Sequence, residues 1–352
     1  MSKNCAELTF KLASLKQLKQ QFDLELSSLP KTGKTEDLAL VREAKVKLNQ
    51  TLQDLQNELW LETPELTREN LKAQYEFQAD LLRKSNLLKT LSTGELGIEA
   101  IDNKEYPIPT LEQIEEIMLE KRDFFETKIK QGFVKLVIVP FGLPIKSLIE
   151  AYDNALMEHH RQGKLFNTQN QPLGLNKKIG TKYIFDYVNF VKAEATGDLV
   201  YFPKEFSDNH QGKTKQELLP TQAWQVLLLE DLPDIPDKGK GKTVNGRKQP
   251  EANQSPNDYL KQLQTDQYKG ERGLTPESWL VYGLSHLEQT DQVIDDWEGS
   301  GKGCWLIDSF SKETGRVPNA SFYRGSLHVS LSRGIPGDPD SYGASRFAVS
   351  IS

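Results

Sequence analysis

The side chains best suited to chemistry lie near the C-terminus of this chain, between the apolar blocks Cys304–Ile307 and Phe347–Ile351. The intervening segment is dense in Ser, Asn, Tyr, Arg and His. Aromatic rings offer broad contact area at low entropy cost, and Ser and Asn form adaptable hydrogen bonds. This mixture is typical of a surface that binds a partner. The predicted ligand-binding positions are Asn319, Ser321, Phe322, Tyr323, Arg324, Ser326, His328, Ser330, Ser332, Arg333, Asp340, Ser341 and Tyr342.

Aliphatic residues alternate with polar ones inside this segment. Between Arg324 and Arg333 the aliphatic positions are Leu327, Val329 and Leu331, which repeat with a period of two. That period predicts a half-buried strand whose second face meets solvent. The interleaved polar side chains are therefore expected to be available for contact with a ligand.

Motifs elsewhere resemble nucleotide-binding or metal-binding signatures, but each lacks a required part. Gly-Lys-Thr triplets begin at Gly33, Gly212 and Gly241, and none has the earlier glycine that a phosphate-binding loop needs. The adjacent His159 and His160 point to different faces of a helix, so they do not form a metal-binding i, i+4 pair. Since no acid, base and nucleophile converge, we predict no enzyme activity, no cofactor and no metal site.

Two kinds of charged cluster have surface interpretations. The basic cluster lacks the interleaved aromatic residues that stack on nucleic-acid bases, so a solvated loop is favoured over a phosphate contact. The acidic pairs lack the spacing of a calcium loop, so a surface or capping role is favoured. The basic cluster comprises Lys238, Lys240, Lys242, Arg247 and Lys248, and the acidic pairs are Glu230-Asp231 and Asp295-Asp296.

Composition restricts the class of protein. The chain has 352 residues, a formal net charge of −6 and 27% charged residues, which argues against general affinity for nucleic acid. No apolar run approaches the length of a membrane span, and the N-terminus lacks a secretory signal. Cys5 and Cys304 are too few for a disulfide framework. A cytoplasmic location is the default expectation, with surface display by another route left open.

The first part of the chain, residues 1–92, has the pattern of a helical hairpin or coiled coil. Leu8, Leu15, Phe22 and Leu29 repeat every seven residues, and a Pro/Gly turn follows before a second leucine-rich stretch. A third helix is expected to begin behind Thr63 as its N-cap. Two interpretations stay open here: a bundle that packs on itself, or an element that forms a homo-oligomer.

Residues 93–175 are predicted to connect this helical region to an α+β domain over residues 176–352. In the connecting region we predict a capped helix (110–130), a buried strand (133–141) and a second helix (144–161). Short strands follow at 183–191, 198–202 and 224–230, and residues 233–256 are predicted to be an exposed loop. Residues 276–286 and 291–297 are predicted to be helical or turn segments.

Several blocks of the C-terminal half occur in a family-like order. They are Trp224–Pro233, Gly241–Gln249, Leu274–Trp279, Asp291–Trp297, Gly315–Pro318 and Gly343–Val349. Through these blocks the chain resembles, over about residues 180–352, the variable, or target, proteins of diversity-generating retroelements. Those proteins end in a C-type lectin-fold domain, the fold that formylglycine-generating enzymes share. The closing block carries one residue more than the family pattern.

The resemblance implies a variable segment at about residues 315–350, in which codons change while the scaffold holds. It implies scaffold roles for Val317, Pro318, Leu327, Val329, Leu331, Gly343, Arg346 and Val349. The formylglycine-generating oxidases need a pair of active-site cysteines, and Cys304 has no partner in the domain.

The resulting hypothesis is a ligand-binding variable protein whose unknown ligand is a protein. Phe322, Tyr323 and Tyr342 are the expected aromatic anchors. Arg324, His328 and Arg333 are expected to set electrostatic preference. The alternative is a structural or assembly protein that works through its N-terminal helices.

Overall fold

The computed structural model describes residues 35–61, 63–175, 184–185, 187–219, 221–299, 301–339 and 343–351, together with residues 11, 14–15, 17–21 and 23–24. Residues 11, 14–15, 17–21 and 23–24 are helical. The helices that follow are α1 (Thr35–Leu59), α2 (Arg68–Lys84), α3 (Leu111–Glu120), α4 (Arg122–Lys130), α5 (Ile145–Arg161), α6 (Tyr187–Thr196), α7 (Lys215–Leu218), α8 (Pro256–Leu263) and α9 (Pro276–Thr290). Asp266–Tyr268 forms a short 3₁₀ helix. Strands are interspersed with these helices, so the predicted α+β class is confirmed.

The strands are short. They are β1 (Lys89–Thr90), β2 (Leu96–Glu99), β3 (Glu105–Pro107), β4 (Phe133–Val139), β5 (Ile184–Phe185), β6 (Leu199–Tyr201), β7 (Gln225–Glu230), β8 (Thr243–Val244), β9 (Arg247–Lys248), β10 (Glu271–Arg272), β11 (Asp296–Trp297), β12 (Gly303–Trp305), β13 (Ser309–Ser311), β14 (Val317–Tyr323), β15 (His328–Gly334), β16 (Gly343–Ala344) and β17 (Ala348–Ser350).

A four-stranded antiparallel sheet in the order β10-β17-β7-β4 runs through the core of the described chain. The apolar run that predicts a buried strand forms β4, and all six residues of β7 are buried. In the register of these two strands, Leu136 pairs with Leu228 and Val137 with Leu227. Helices α2 and α9 pack against β4, so this sheet is covered by other elements.

One hydrophobic core joins the parts of the chain that the sequence separates. The core cluster includes Trp60, Leu82, Leu136, Leu280 and Ile351. Strand β4 from the predicted connecting region pairs with β7 from the predicted C-terminal domain, and α5 packs on α9. The predicted boundaries at 92/93 and 175/176 therefore do not separate independent cores.

Several helix predictions are confirmed and others need correction. Thr110 caps α3 through a capping box with Gln113, as predicted, but the helix stops at Glu120 and α4 begins after Lys121. Helix α2 begins at Arg68, with Thr67 as its N-cap, whereas Thr63 closes a turn by donating to the Leu66 carbonyl. In the described part of the segment predicted as a strand over 183–191, the two-residue β5 is followed by α6, which begins at Tyr187.

The loop 233–256 is not wholly exposed as predicted, because Arg247 is fully buried. Its guanidinium donates to the Glu271 carboxylate at 2.8–2.9 Å and lies 3.2 Å from that of Glu230. The ring of Phe133 lies 4.5 Å from the guanidinium carbon. This arginine is therefore a structural anchor of the loop and no part of a basic surface.

The N-terminal predictions fall mostly outside the described residues. Within them, α1 is a helix whose half-buried positions include Val41, Leu48 and Leu55. An ion pair of 2.6 Å joins Lys45 of α1 to Asp23, as an antiparallel hairpin would allow. No helix in the described part of the chain is both long and apolar enough to cross a membrane.

Candidate functional site

The antiparallel hairpin β14–β15 carries most of the predicted ligand-binding residues. Its register pairs Asn319 with Ser332, Ser321 with Ser330, and Tyr323 with His328. Residues that are directly opposite each other in an antiparallel pair project from the same face of the sheet. These six residues therefore form one face, here called the polar face, whose members are Asn319, Ser321, Tyr323, His328, Ser330 and Ser332.

The opposite face of the hairpin belongs to the core. Ala320 pairs with Leu331 and Phe322 with Val329, and none of these four side chains has measurable exposure (0%). Helix α9 packs against β14. The prediction that Phe322 is an exposed aromatic anchor is therefore wrong, because its side chain fills the core.

The six residues of the polar face differ in their exposure to solvent. Asn319, Tyr323, Ser330 and Ser332 are half-buried. Ser321 and His328 are buried, with exposed fractions of 4% and 6%, and so do not face solvent as predicted. Burial lowers the pKa of His328, so its ring is neutral at neutral pH. The face thus has an exposed rim and a recessed base that includes a neutral imidazole.

Three rings form a row along one end of the polar face. Strand β11 pairs in parallel with β14, which places Trp297 beside Tyr323. Their ring centroids are 4.3 Å apart at an interplanar angle of 32°, and the ring of His328 meets Tyr323 edge-on at 5.8 Å. Sequence reasoning did not assign Trp297 to the surface, although its block, Asp291–Trp297, was among those that carried the resemblance.

The turn between β14 and β15 is held by a buried carboxylate. Arg324 donates to Asp296 through Nε at 3.2 Å and through a second, short contact from Nη2. Asp296 is fully buried, as is Asp295, so the predicted surface or capping role of this acidic pair is wrong. The side chain of Arg324 keeps 31% of its exposure, which leaves part of the guanidinium accessible to a ligand.

Ser326 and Leu327 lie in this turn. Both side chains are half-buried, and the Ser326 carbonyl oxygen lies 3.2 Å from Nδ1 of His328. A neutral imidazole at that position donates from Nδ1. Leu327 has a φ of 54°, a left-handed conformation that a turn requires and a strand does not allow. The alternating strand therefore begins at His328, one residue later than the leucine pattern predicts.

Arg333 is not part of the polar face. In the register it pairs with Pro318, on the core side of the hairpin. Its guanidinium donates to the Asn189 carbonyl at 2.8 Å and to Ser311 Oγ at 2.9 Å, and it lies 5.0 Å from the centroid of the Phe190 ring. The prediction that Arg333 presents its charge to a ligand on the hairpin is therefore wrong.

Asp340, Ser341 and Tyr342 lie outside the described residues. The strands that follow them are described. Strand β16 pairs in parallel with β12, and β17 pairs with β7 in the four-stranded sheet. Arg346 between them is buried and donates to Asp295 and to the carbonyls of Leu232 and Pro233 at 2.6–3.1 Å. The end of the chain is thus anchored in the core.

A second group of ionisable residues is fully internal. Lys215 lies 2.8 Å from Glu277, makes a short contact with Glu194, and donates to the Leu143 carbonyl at 2.9 Å. Tyr201 donates to Glu277 at 2.6 Å, and burial raises the pKa of this phenol. The sequence gives no sign of this cluster, since its members are far apart in the chain. It ties α6, α7 and α9 together.

We searched the described part of the chain for clusters that could bind a metal ion and for a reactive thiol. No group of three or more His, Cys, Asp or Glu side chains there is placed to hold a metal ion. Cys304 is fully buried in β12, and burial raises the pKa of its thiol, which disfavours a reactive thiolate.

Comparison of the chain with protein-family models, with curated proteins and with solved structures finds no match. Similarity to a known protein therefore assigns neither a family nor a function.

Proposed function

We propose that this protein binds a protein ligand through the polar face, and that it is a retroelement-diversified variable protein with a C-type lectin-like scaffold. The observation that carries the proposal is the register of β14 and β15. Six predicted variable residues fall in three cross-strand pairs on one face, and Ala320, Phe322, Val329 and Leu331 pack into the core from the other.

The chemistry of the polar face favours a protein as the ligand. Trp, Tyr and Arg are enriched among the residues that dominate protein–protein binding energy. Here Trp297, Tyr323 and Arg324 are adjacent, and all three are half-buried. The hydroxyl and amide groups of Ser330, Ser332 and Asn319 add adaptable hydrogen bonds beside them.

The same geometry makes the face tolerant of change. Substitutions at surface positions away from packing and buried polar contacts usually change stability by less than about 0.5 kcal/mol. Truncation of a buried leucine or phenylalanine costs about 2–5 kcal/mol. Because half-buried and core positions alternate in the hairpin, the side chains of Asn319, Tyr323, Ser330 and Ser332 can change while the core contacts persist.

A comparison of two displayed libraries of variants tests this proposal. Both replace four hairpin positions with a Tyr/Ser/Asn/Asp mixture, and folding is scored by resistance to protease. The polar-face library varies Asn319, Tyr323, Ser330 and Ser332, and the matched core-face library varies Ala320, Phe322, Val329 and Leu331.

We expect most polar-face clones and almost no core-face clones to stay protease-resistant, because only the second set removes packing. Selection of the polar-face library on purified lysozyme should then yield binders. Equal loss of folding in the two libraries would refute the proposal, as would a failure to recover any binder from a well-folded polar-face library.

Diversification has its own test in the flanking DNA. A near-copy of the codons for about residues 315–350 is expected beside a reverse transcriptase gene. It should differ mainly at adenines, and the differences should fall in codons for the polar face. Absence of such a copy would contradict diversification by a retroelement, but it would not contradict the proposed binding surface.

Assembly through the N-terminal helices is the second candidate. The observation in its favour is the half-buried row Val41, Lys45, Leu48 and Leu55 on α1, whose spacing is that of a helix-packing face. Sedimentation of the full chain, compared with the Leu48→Glu variant, tests it. A concentration-independent monomer would exclude assembly, and an oligomer that Leu48→Glu dissociates would support it.

A further inference from the structure

A polar cleft of about 690 Å³ opens beside the end of β15. It lies between β15, helix α6 and the turn that joins β13 to β14. Its size is in the range of ligand-binding cavities. The described residues that line it are Asn189, Phe190, Lys192, Ala193, Thr196, Asp198, Glu313, Thr314, Arg316, Leu331, Ser332 and Arg333.

The inner part of the cleft is formed by packed and hydrogen-bonded residues. Phe190, Ala193 and Leu331 are buried core residues that form its apolar floor. Arg333 lines one end, where its Nη1 donates to Ser311 Oγ and its Nη2 to the Asn189 carbonyl. A binding site held in shape before the ligand arrives loses less entropy when the ligand binds.

The charges in the cleft are not balanced. Asp198 accepts from Ser311 Oγ and from the Glu313 backbone N–H, both at 2.7 Å, and lies 3.4 Å from Arg333. Lys192 and Arg316 are exposed at the rim, and neither makes an ion pair within the described part of the chain.

Glu313 is the remaining carboxylate of the cleft. With Arg333 and Asp198 paired, Lys192 and Arg316 line the cleft together with this single exposed carboxylate, which leaves an excess of one positive charge. A concave site focuses such a field on an approaching anion.

The cleft and the polar face share one residue. Ser332 belongs to the polar face by its pairing with Asn319, and it also lines the cleft. A chain segment that lies across the polar face can therefore continue past Ser332 into the cleft. The positive charge at the rim favours an acidic side chain in the part of the segment that enters the cleft.

We infer that this cleft binds the carboxylate of an aspartate or glutamate side chain in a peptide segment of the ligand. Lys192 and Arg316 supply the charged donors, and Arg333 fixes the wall behind them. The inference extends the proposed function by adding a fixed contact beside the variable ones. It rests on that proposal for its biological role, while its test uses a probe too small to need the polar face.

The probe is the tripeptide acetyl-Gly-Asp-Gly-amide, and acetyl-Gly-Asn-Gly-amide is the neutral control. Amide NMR shifts of the full chain are followed during titration at low salt. We expect saturable shifts in residues 189–196 and 313–316 with the Asp peptide only. The double variant Lys192→Gln/Arg316→Gln should weaken this binding about tenfold or more, because both charged donors are lost.

The charge-matched control is Lys238→Gln/Lys242→Gln, which removes two exposed lysines outside the cleft and should leave the titration unchanged. Equal shifts with the Asn peptide would overturn the inference, as would no shifts with the Asp peptide or undiminished binding by the cleft variant. None of these outcomes depends on the polar-face libraries, so the cleft and the proposed function can fail separately.

Discussion

The four-stranded sheet and the β14–β15 hairpin bury their side chains in different ways. Every residue of β7 is buried, since its sheet is covered by helices and loops. In the hairpin, buried and half-buried positions alternate along Val329, Ser330, Leu331 and Ser332. A strand covered on both faces leaves no position free to vary, whereas a strand covered on one face separates stability from recognition by residue parity.

The largest expected effect is on the core side of the hairpin. Phe322→Ala should lower the free energy of unfolding by about 3–5 kcal/mol, because the fully buried ring leaves a cavity. Urea denaturation measures this loss. Phe322→Leu is the control and should lose much less, since it keeps most of the apolar volume. A loss below about 1 kcal/mol for Phe322→Ala would mean that the two faces are not distinct.

The second prediction compares two buried histidines. Burial lowers the pKa of His286 in α9 to about 4, against an ordinary value of 6.5. Between these values the unfolded chain binds a proton that the folded chain does not, so stability falls as the pH decreases through this window. The loss from pH 7 to pH 5 should be about 2 kcal/mol.

Urea midpoints at the two pH values, converted to free energies, measure this loss. His286→Gln should remove most of the pH-dependent loss, whereas His328→Gln on the polar face should leave most of it. Burial also lowers the pKa of His328, but the Ser326 carbonyl beside its Nδ1 favours the protonated ring and offsets part of that shift. An unchanged slope in His286→Gln would assign the acid sensitivity to other groups.

The sequence predicts the features that depend on neighbouring residues, and it does not predict those that depend on residues far apart in the chain. The β4 run, the Thr110–Gln113 capping box and the alternation around Val329 are local patterns, and the structure confirms them. The burial of Arg247 depends on Glu271, which lies 24 residues away. Local composition around that arginine indicates an exposed loop, so no local pattern reveals the buried ion pair.

The candidate site shows the same limit. Period-two alternation assigns β15 to two faces, but it does not show that Arg333 is held by Asn189 or that Asp296 lies beneath Arg324. It also misses Trp297, whose position beside Tyr323 comes from the parallel pairing of β11. The composition of the face is therefore predictable, whereas its neighbours are set by tertiary pairing.

The third prediction concerns Tyr323. Tyr323→Ala should lower stability by less than about 1 kcal/mol, because the ring is half-buried and packs mainly on Trp297 and His328. Affinity for a protein selected against the unaltered chain should fall about 30-fold or more. Calorimetry of binding and of unfolding separates the two effects. Tyr259→Ala is the control, and it should lose several kcal/mol of stability, since Tyr259 is fully buried.

A large loss of stability in Tyr323→Ala would contradict the prediction. Tyr323 would then belong to the core, and the polar face would lose its main aromatic residue. Unchanged affinity in a stable variant would instead show that the ligand binds away from the row of three rings.

The smallest effect is expected at adjacent positions of a single strand. Ser330→Asn and Ser332→Asn should each change the free energy of unfolding by less than about 0.5 kcal/mol, since both side chains are half-buried on the polar face. Leu331→Asn, between them, places an amide in the core and should cost several kcal/mol. Urea denaturation of the three variants measures the alternation one residue at a time. Similar losses at all three positions would show that β15 is covered on both faces, as β7 is.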